Sequence, residues 1–175
     1  MQDNGYNTMR NTPVSLQDDG LNDETNMSIA LELAEEAAEA GEIPVGAVIV
    51  DDTGTIVAAA RNECEALPDA TAHAEILAIR RASELLGSWR LTDCTVYVTL
   101  EPCPMCAGAI VNSRLKRLVY GAADSHMGAV ESILNIPGHP SLGSGLQVRA
   151  GVMEQECREL LQKFFANRRG TVERD

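Results

Sequence analysis

The sequence predicts an α/β domain in three layers, α/β/α, with a central mixed sheet of five strands. Three observations predict it. Short, β-branched apolar runs alternate along the chain with longer helix-like segments. Hydrophobic residues make up 45% of the chain and aromatic residues only 3%, so the core must be aliphatic, built from Ala, Val, Ile and Leu. A length of 175 residues suits one domain rather than two.

Residues 1–26 are rich in Asn, Asp, Thr, Gln and Gly, and read as a disordered N-terminal extension. The folded domain is expected over 27–170, with 171–175 as a short C-terminal tail. Residues 27–40 carry Ile29, Leu31, Leu33, Ala34, Ala37 and Ala38 against Glu32, Glu35, Glu36 and Glu39, which predicts a helix ended by Gly41. Val45–Val50 reads as a buried strand, Asp51–Gly54 as a turn and Thr55–Ala60 as the partner strand. A second helix is expected from about His73 to Leu86, stopped by Gly87. Thr95–Leu100 is a strand, Cys103 to about Arg114 a helix, and Leu118–Tyr120 another strand. Residues 123–144 are rich in Gly, Ser and Pro and predict a long loop, with a short helix at Ser132–Asn135. Leu146–Arg149 and Met153–Arg168 supply the last strand and the last helix.

Net charge is −12, but it is uneven. Residues 1–60 hold twelve acidic residues and one basic residue, Arg10, whereas the remainder is close to neutral. A local basic patch for phosphate contacts is therefore compatible with the acidic total. No apolar run approaches the roughly 20 residues of a membrane span, and the first residues lack a basic-then-apolar leader pattern. The expectation is a cytoplasmic protein with no membrane partner. Of the five cysteines, Cys64, Cys94 and Cys157 read as inert thiols. The other two, Cys103 and Cys106, form a C-x-x-C flanked by prolines, which in this context points to metal ligation rather than a disulfide.

Cys103 and Cys106 are three residues apart, so a helix places both on one face. Pro102 and Pro104 suit a helix start, whose free N–H groups and partial positive charge favour thiolate. His73 stands at the start of the preceding helix in the same way. Together these are three ligands for one Zn²⁺ per subunit, with a fourth position left to water. Two thiolates and a neutral imidazole cancel the ion's charge, and the bound water is acidified toward a pKa of ~7. Glu75, two residues after His73, can take that water's proton and pass it to a leaving amine, as general base and then general acid. His126 and His139 lie in the long loop without a ligand spacing. H-x-E followed by P-C-x-x-C is the known signature of zinc nucleobase deaminases, so the inference of a deaminase follows an established pattern.

With these residues the chain resembles the bacterial tRNA adenosine deaminase (TadA) family of the cytidine-deaminase-like superfamily. The matching stretches are IPVGAVIV at 43–50, RN at 61–62, DATAHAEILAIRRAS at 69–83, WRLTDCTVYVTLEPCPMCAGAIVNSR at 89–114, LVYGAAD at 118–124 and FFANRR at 164–169. The resemblance implies the cytidine-deaminase-like fold, hydrolysis of the wobble adenosine of a tRNA anticodon stem-loop to inosine with release of ammonia, and a homodimer. It implies that Asn62 reads the flipped adenine and that Ile43, Pro44, Val45, Ala74 and Leu100 belong to the pocket around the base. Two positions depart from the family pattern. His126 stands where the loop after LVYGA often carries Lys, replacing a permanent cation by a partial one. Ala70 stands where the motif before the zinc His often carries Pro.

For RNA contact, Arg114, Lys116 and Arg117 form the densest basic run, but Arg114 lies about 16 Å along the helix from Cys103. They read as a solvated helix end. Phe164 with Arg168, and Phe165 with Arg169, are i,i+4 pairs that set aromatic faces beside guanidinium groups, an arrangement suited to splayed RNA loops. The alternative reading is a deaminase of free guanine or cytosine with the same zinc chemistry.

Overall fold

The computed structural model describes residues 20–142 and 145–172. Its elements are α1 (Gly20–Glu39), β1 (Gly46–Val50), β2 (Ile56–Arg61), α2 (Ala74–Leu86), β3 (Thr95–Leu100), α3 (Pro104–Asn112), β4 (Arg117–Ala122), β5 (Gln147–Arg149) and α4 (Glu154–Val172). The strands form one sheet in the order β2-β1-β3-β4-β5. β1 runs antiparallel to both β2 and β3, whereas β3, β4 and β5 are mutually parallel. This is the expected mixed five-stranded sheet.

Side chains alternate across it and divide the core in two. Ala47, Ile49, Val96, Val98 and Leu118 face α2 and α3, packing with Ala74, Leu77, Ala78, Ala107 and Ile110. Val48, Val50, Tyr97 and Val119 face the other way, against Met27 and Ala30 of α1 and Cys157 of α4. A sheet apolar on both faces needs a helical layer on each, and the three-layer architecture follows. On the α1 side the approach is close at Gly46. A Cβ there would run into the Ala30 carbonyl and come within 2.8 Å of Ala34 N.

Two elements differ from the sequence reading. First, α1 starts at Gly20, so residues 20–26, expected to belong to a disordered extension, are helical. The reason is Asp23, whose side chain is fully buried. It accepts from Tyr97 Oη on β3 at 2.9 Å, from both Arg117 nitrogens on β4 at 2.7 and 2.6 Å, and from Arg149 on β5 at 2.8 Å. A polar composition concealed a tertiary anchor. Arg117 is correspondingly a structural partner of Asp23, not part of a solvated helix end. Second, Ser132–Asn135 forms turns rather than a helix. The Glu101 carboxylate captures the N–H groups of Val130, Glu131 and Ser132, while Ile133 and Leu134 donate back to the Gly128 carbonyl. Residues 1–19 of the expected extension lie outside the described residues.

Candidate active site

The register of the sheet gathers one set of ends at one edge. Leu100, at the end of β3, pairs with Ala122, at the end of β4, and Ala47, near the start of β1, pairs with Val98. α3 begins immediately beyond β3, with Cys103 as its N-cap and Pro104 in its first turn. His73 is the N-cap of α2. Neither side chain caps its own helix, so the imidazole and the thiol are free to point elsewhere. They point at each other: His73 Nδ1 lies 3.7 Å from Cys103 Sγ and 3.5 Å from Cys106 Sγ. All three ligand atoms lie within 4.8 Å of one another.

The donor set fits a metal. Tetrahedral zinc with bonds of about 2.3 Å to sulfur and 2.0–2.1 Å to nitrogen separates S from N by roughly 3.5 Å. The electrostatics agree. The hydrogen bond from Cys106, partly opposed by burial and helped by His73, holds the Cys103 thiol down at about 4. Cys106 is pushed up in turn, first by its hydrogen bond to Cys103, then by burial and by the neighbouring Glu75 carboxylate. A thiol held low beside an imidazole is suited to ligate a cation. Hydrogen bonding to Cys103 raises the His73 pKa.

Glu75 sits in the first turn of α2, beside the sulfurs and only 3% exposed. Its Oε2 has no hydrogen-bond partner, which makes it the single orphan among the buried side-chain polar atoms of the described residues. Burial drives its carboxyl pKa up, partly offset by its own backbone and by His73. A buried carboxylate with an unused acceptor oxygen beside three candidate metal-ligand atoms can accept and return a proton.

The pocket around this group is built from short contacts. Asn62, just after β2, accepts from the Ala74 N–H through Oδ1 at 2.8 Å, and its own N–H reaches the Val45 carbonyl at 3.0 Å. The structure therefore brings Val45, Asn62 and Ala74 together, and the Asn62 amide nitrogen is the end left to donate to a ligand. Pro44 and Val45 are buried beside Asn62, Ile43 is exposed, and Leu100 is half-buried against both core clusters. Glu42 secures this region by accepting from Glu65 N and Ala66 N at 2.9 Å each.

Two acidic residues at this edge were not singled out from the sequence. Glu42 is one, and Glu101, directly after β3 and 2% exposed, is the other. The available signal was a charged residue wedged between a buried strand and Pro102. Burial raises the Glu101 pKa, but the Ser132 hydroxyl and the backbone amides around it outweigh this and hold the carboxyl below its ordinary range.

A model of the MafB19-like deaminase family matches residues 21–169. A tRNA-specific adenosine deaminase of Haemophilus influenzae is 48% identical over 147 residues, covering 84% of this chain and 85% of its own. That of Bacillus subtilis is 45% identical over 143 residues, covering 82% and 88%. The chain belongs to the tRNA-specific adenosine deaminase family. Among solved structures, a chain from studies of A-to-I editing by tRNA:A34 deaminases at the wobble position of transfer RNA superposes with a TM-score of 0.76 at 46% identity, covering 78% of this chain and 99% of that one. A guanine deaminase of Nitrosomonas europaea also matches, with a TM-score of 0.69 at 27% identity, covering 82% of this chain and 84% of its own.

In this member of the adenosine deaminase family, the end of α4 returns to the same edge. Arg168 donates to the Gly41 carbonyl at 3.4 Å, just before the Ile43–Val45 segment, and its guanidinium lies 5.1 Å from the Phe164 ring centre. Phe165 packs edge-on against Phe164 at 5.4 Å and is 43% exposed, so it is not a core residue. The Phe164–Arg168 pair forms as expected, while the Arg169 side chain lies outside the described residues. No described helix is long and apolar enough to cross a membrane.

Proposed function

We propose that this protein deaminates the wobble adenosine of a tRNA anticodon loop to inosine and releases ammonia, as a zinc-dependent, cytoplasmic homodimer. His73, Cys103 and Cys106 would hold the ion. Zinc held there would supply Lewis-acid chemistry, making water a nucleophile at neutral pH.

The remaining work belongs to the chain's own side chains. The Asn62 amide donates to the flipped adenine, with its carbonyl oxygen locked on the Ala74 N–H. Pro44, Val45 and Leu100 wall the base, and Ala74 brings the start of α2 against it. Glu75 takes a proton from the attacking water and delivers it to the amine. Water oxygen joins C6, the water's second proton passes to N1, the bond from C6 to the exocyclic amine breaks, and the products are a C6 carbonyl with N1–H and ammonia. Phe164, Phe165 and Arg168 lie beside the segment that leads into Ile43–Val45, and together with Arg169 they are the proposed contacts for bases splayed from a single-stranded loop. An anticodon loop is already unpaired, so presenting one base costs little.

The observation that carries this reading is the unpartnered, buried Oε2 of Glu75 beside the three ligand atoms. The test is Glu75→Ala. It should retain zinc by metal analysis and lose inosine formation by at least about a hundredfold, the usual contribution of a general acid–base. Loss of metal would make Glu75 structural, and undiminished turnover would remove it from the reaction.

A further inference from the structure

We infer that Glu101 is a positioning residue: its buried carboxylate sets residues 124–132 as one wall of the site mouth and ties that wall to the helix that carries Cys103 and Cys106. The inference rests on the proposed function for what enters the mouth. The latch itself stands on geometry alone.

β3 and β4 are parallel and end side by side, at Leu100 and Ala122. The chain leaving β4 therefore emerges next to Glu101-Pro102-Cys103. Glu101 then gathers it. Oε1 accepts from Val130 N at 3.2 Å, Glu131 N at 2.8 Å and Ser132 N at 2.9 Å. Oε2 accepts from Asp124 N at 3.0 Å and from the Ser132 hydroxyl. Ala129 N adds a bond to the Pro102 carbonyl at 2.9 Å. Every partner of the carboxylate is a donor. An ionised carboxylate is acceptor-only and can satisfy such a ring of N–H groups, whereas a carboxamide must turn an NH₂ toward some of them.

The loop is shaped to match. Gly128 passes so close that a Cβ would overlap the Glu101 carboxylate and reach within 2.5 Å of the Asp124 carbonyl. Asp124 Oδ1 accepts from His126 N at 2.8 Å and Met127 N at 3.1 Å, which turns the tip outward and leaves both side chains exposed. The exposed tip thus belongs to a segment whose other end is pinned two residues from a metal ligand. Nothing else in the mechanism uses the Glu101 charge.

The test uses full-length, zinc-loaded protein in two variants, one from each side of the contact: Glu101→Gln and Gly128→Ala. Each should keep zinc and raise KM for an anticodon stem-loop about tenfold, the effect of one misplaced strong interaction, while kcat changes far less. Amide hydrogen exchange at Asp124, Val130, Glu131 and Ser132 should accelerate in Glu101→Gln, with α2 still protected. The inference is overturned if those amides keep their protection. It is also overturned if the soluble variants lose kcat or zinc with KM unchanged, which marks general damage. Should Glu101→Gln not fold, Gly128→Ala decides by the same exchange and kinetic criteria. A wild-type protein that forms no inosine would instead defeat the proposed function, and the exchange data would still decide the latch.

Discussion

The side chain of Asn62 has two ends, and one substitution separates them. Its Oδ1 holds the Ala74 N–H, whereas its amide nitrogen is the donor assigned to the base. Asn62→Asp preserves the first and removes the second. The expected outcome is intact zinc and an unchanged melting temperature, with kcat/KM lower by roughly tenfold or more, as when a site loses one buried hydrogen bond to its substrate. At the proposed zinc site, Cys103→Ser or Cys106→Ser should lose zinc, read by metal analysis after dialysis. Full occupancy would mean the ligand set is wrong. These residues could be read in the sequence because their chemistry constrains spacing: H-x-E and C-x-x-C are local patterns. Glu101 could not, because its partners lie about 23 to 31 positions away and are mostly backbone N–H groups, which carry no residue identity.

At the scale of elements, α1 and the sheet explain where composition misleads. The run 20–26 is polar, yet it forms helix because one carboxylate, Asp23, spans three adjacent parallel strands. Burial acts to raise the Asp23 pKa, but bonds from Arg117 and Tyr97 and the charges of Arg117 and Arg149 prevail and lower it. A carboxyl whose folded pKa lies below its unfolded value of about 3.9 stabilises the fold above that pH. The contribution is lost as pH falls through the lower, folded value. Asp23→Asn should therefore cost about 3 kcal/mol in urea unfolding at neutral pH, since it breaks a buried ion pair, and the difference from wild type should shrink below pH ~4. A constant difference across that range would mean that the carboxylate charge is not what holds α1 to the sheet. Gly46→Ala probes the other contact of α1. With the Ala30 carbonyl in the way, it should destabilise by about 1–3 kcal/mol or more, measured the same way. The alternating strands and aliphatic helices were legible because burial on both faces imposes its period on the sequence. The 132–135 segment was not, since its backbone is organised by a side chain outside it.

At the scale of the molecule, a net charge of −12 coexists with a proposed polyanionic substrate. The His73, Cys103 and Cys106 group, Asn62, the Gly41–Val45 segment and the Phe164–Arg168 pair share one sheet edge, so attraction for RNA needs to operate only there. Replacing Arg168 and Arg169 together by Ala should weaken stem-loop binding and reduce the slope of log K against log salt by about 1 for each phosphate that is no longer neutralised. An unchanged slope would take the end of α4 off the RNA surface. The fold class and the reaction were readable from pattern and resemblance, while substrate identity lies in loop shape and is decided by chemistry. The most direct test is inosine formation by the zinc-loaded protein on an anticodon stem-loop with adenosine at the wobble position, with free guanine and cytosine in the same reaction. Inosine at the wobble position, with both bases left intact, is the predicted result. Ammonia from a free base, with the stem-loop untouched, would contradict it and make the protein a nucleobase deaminase.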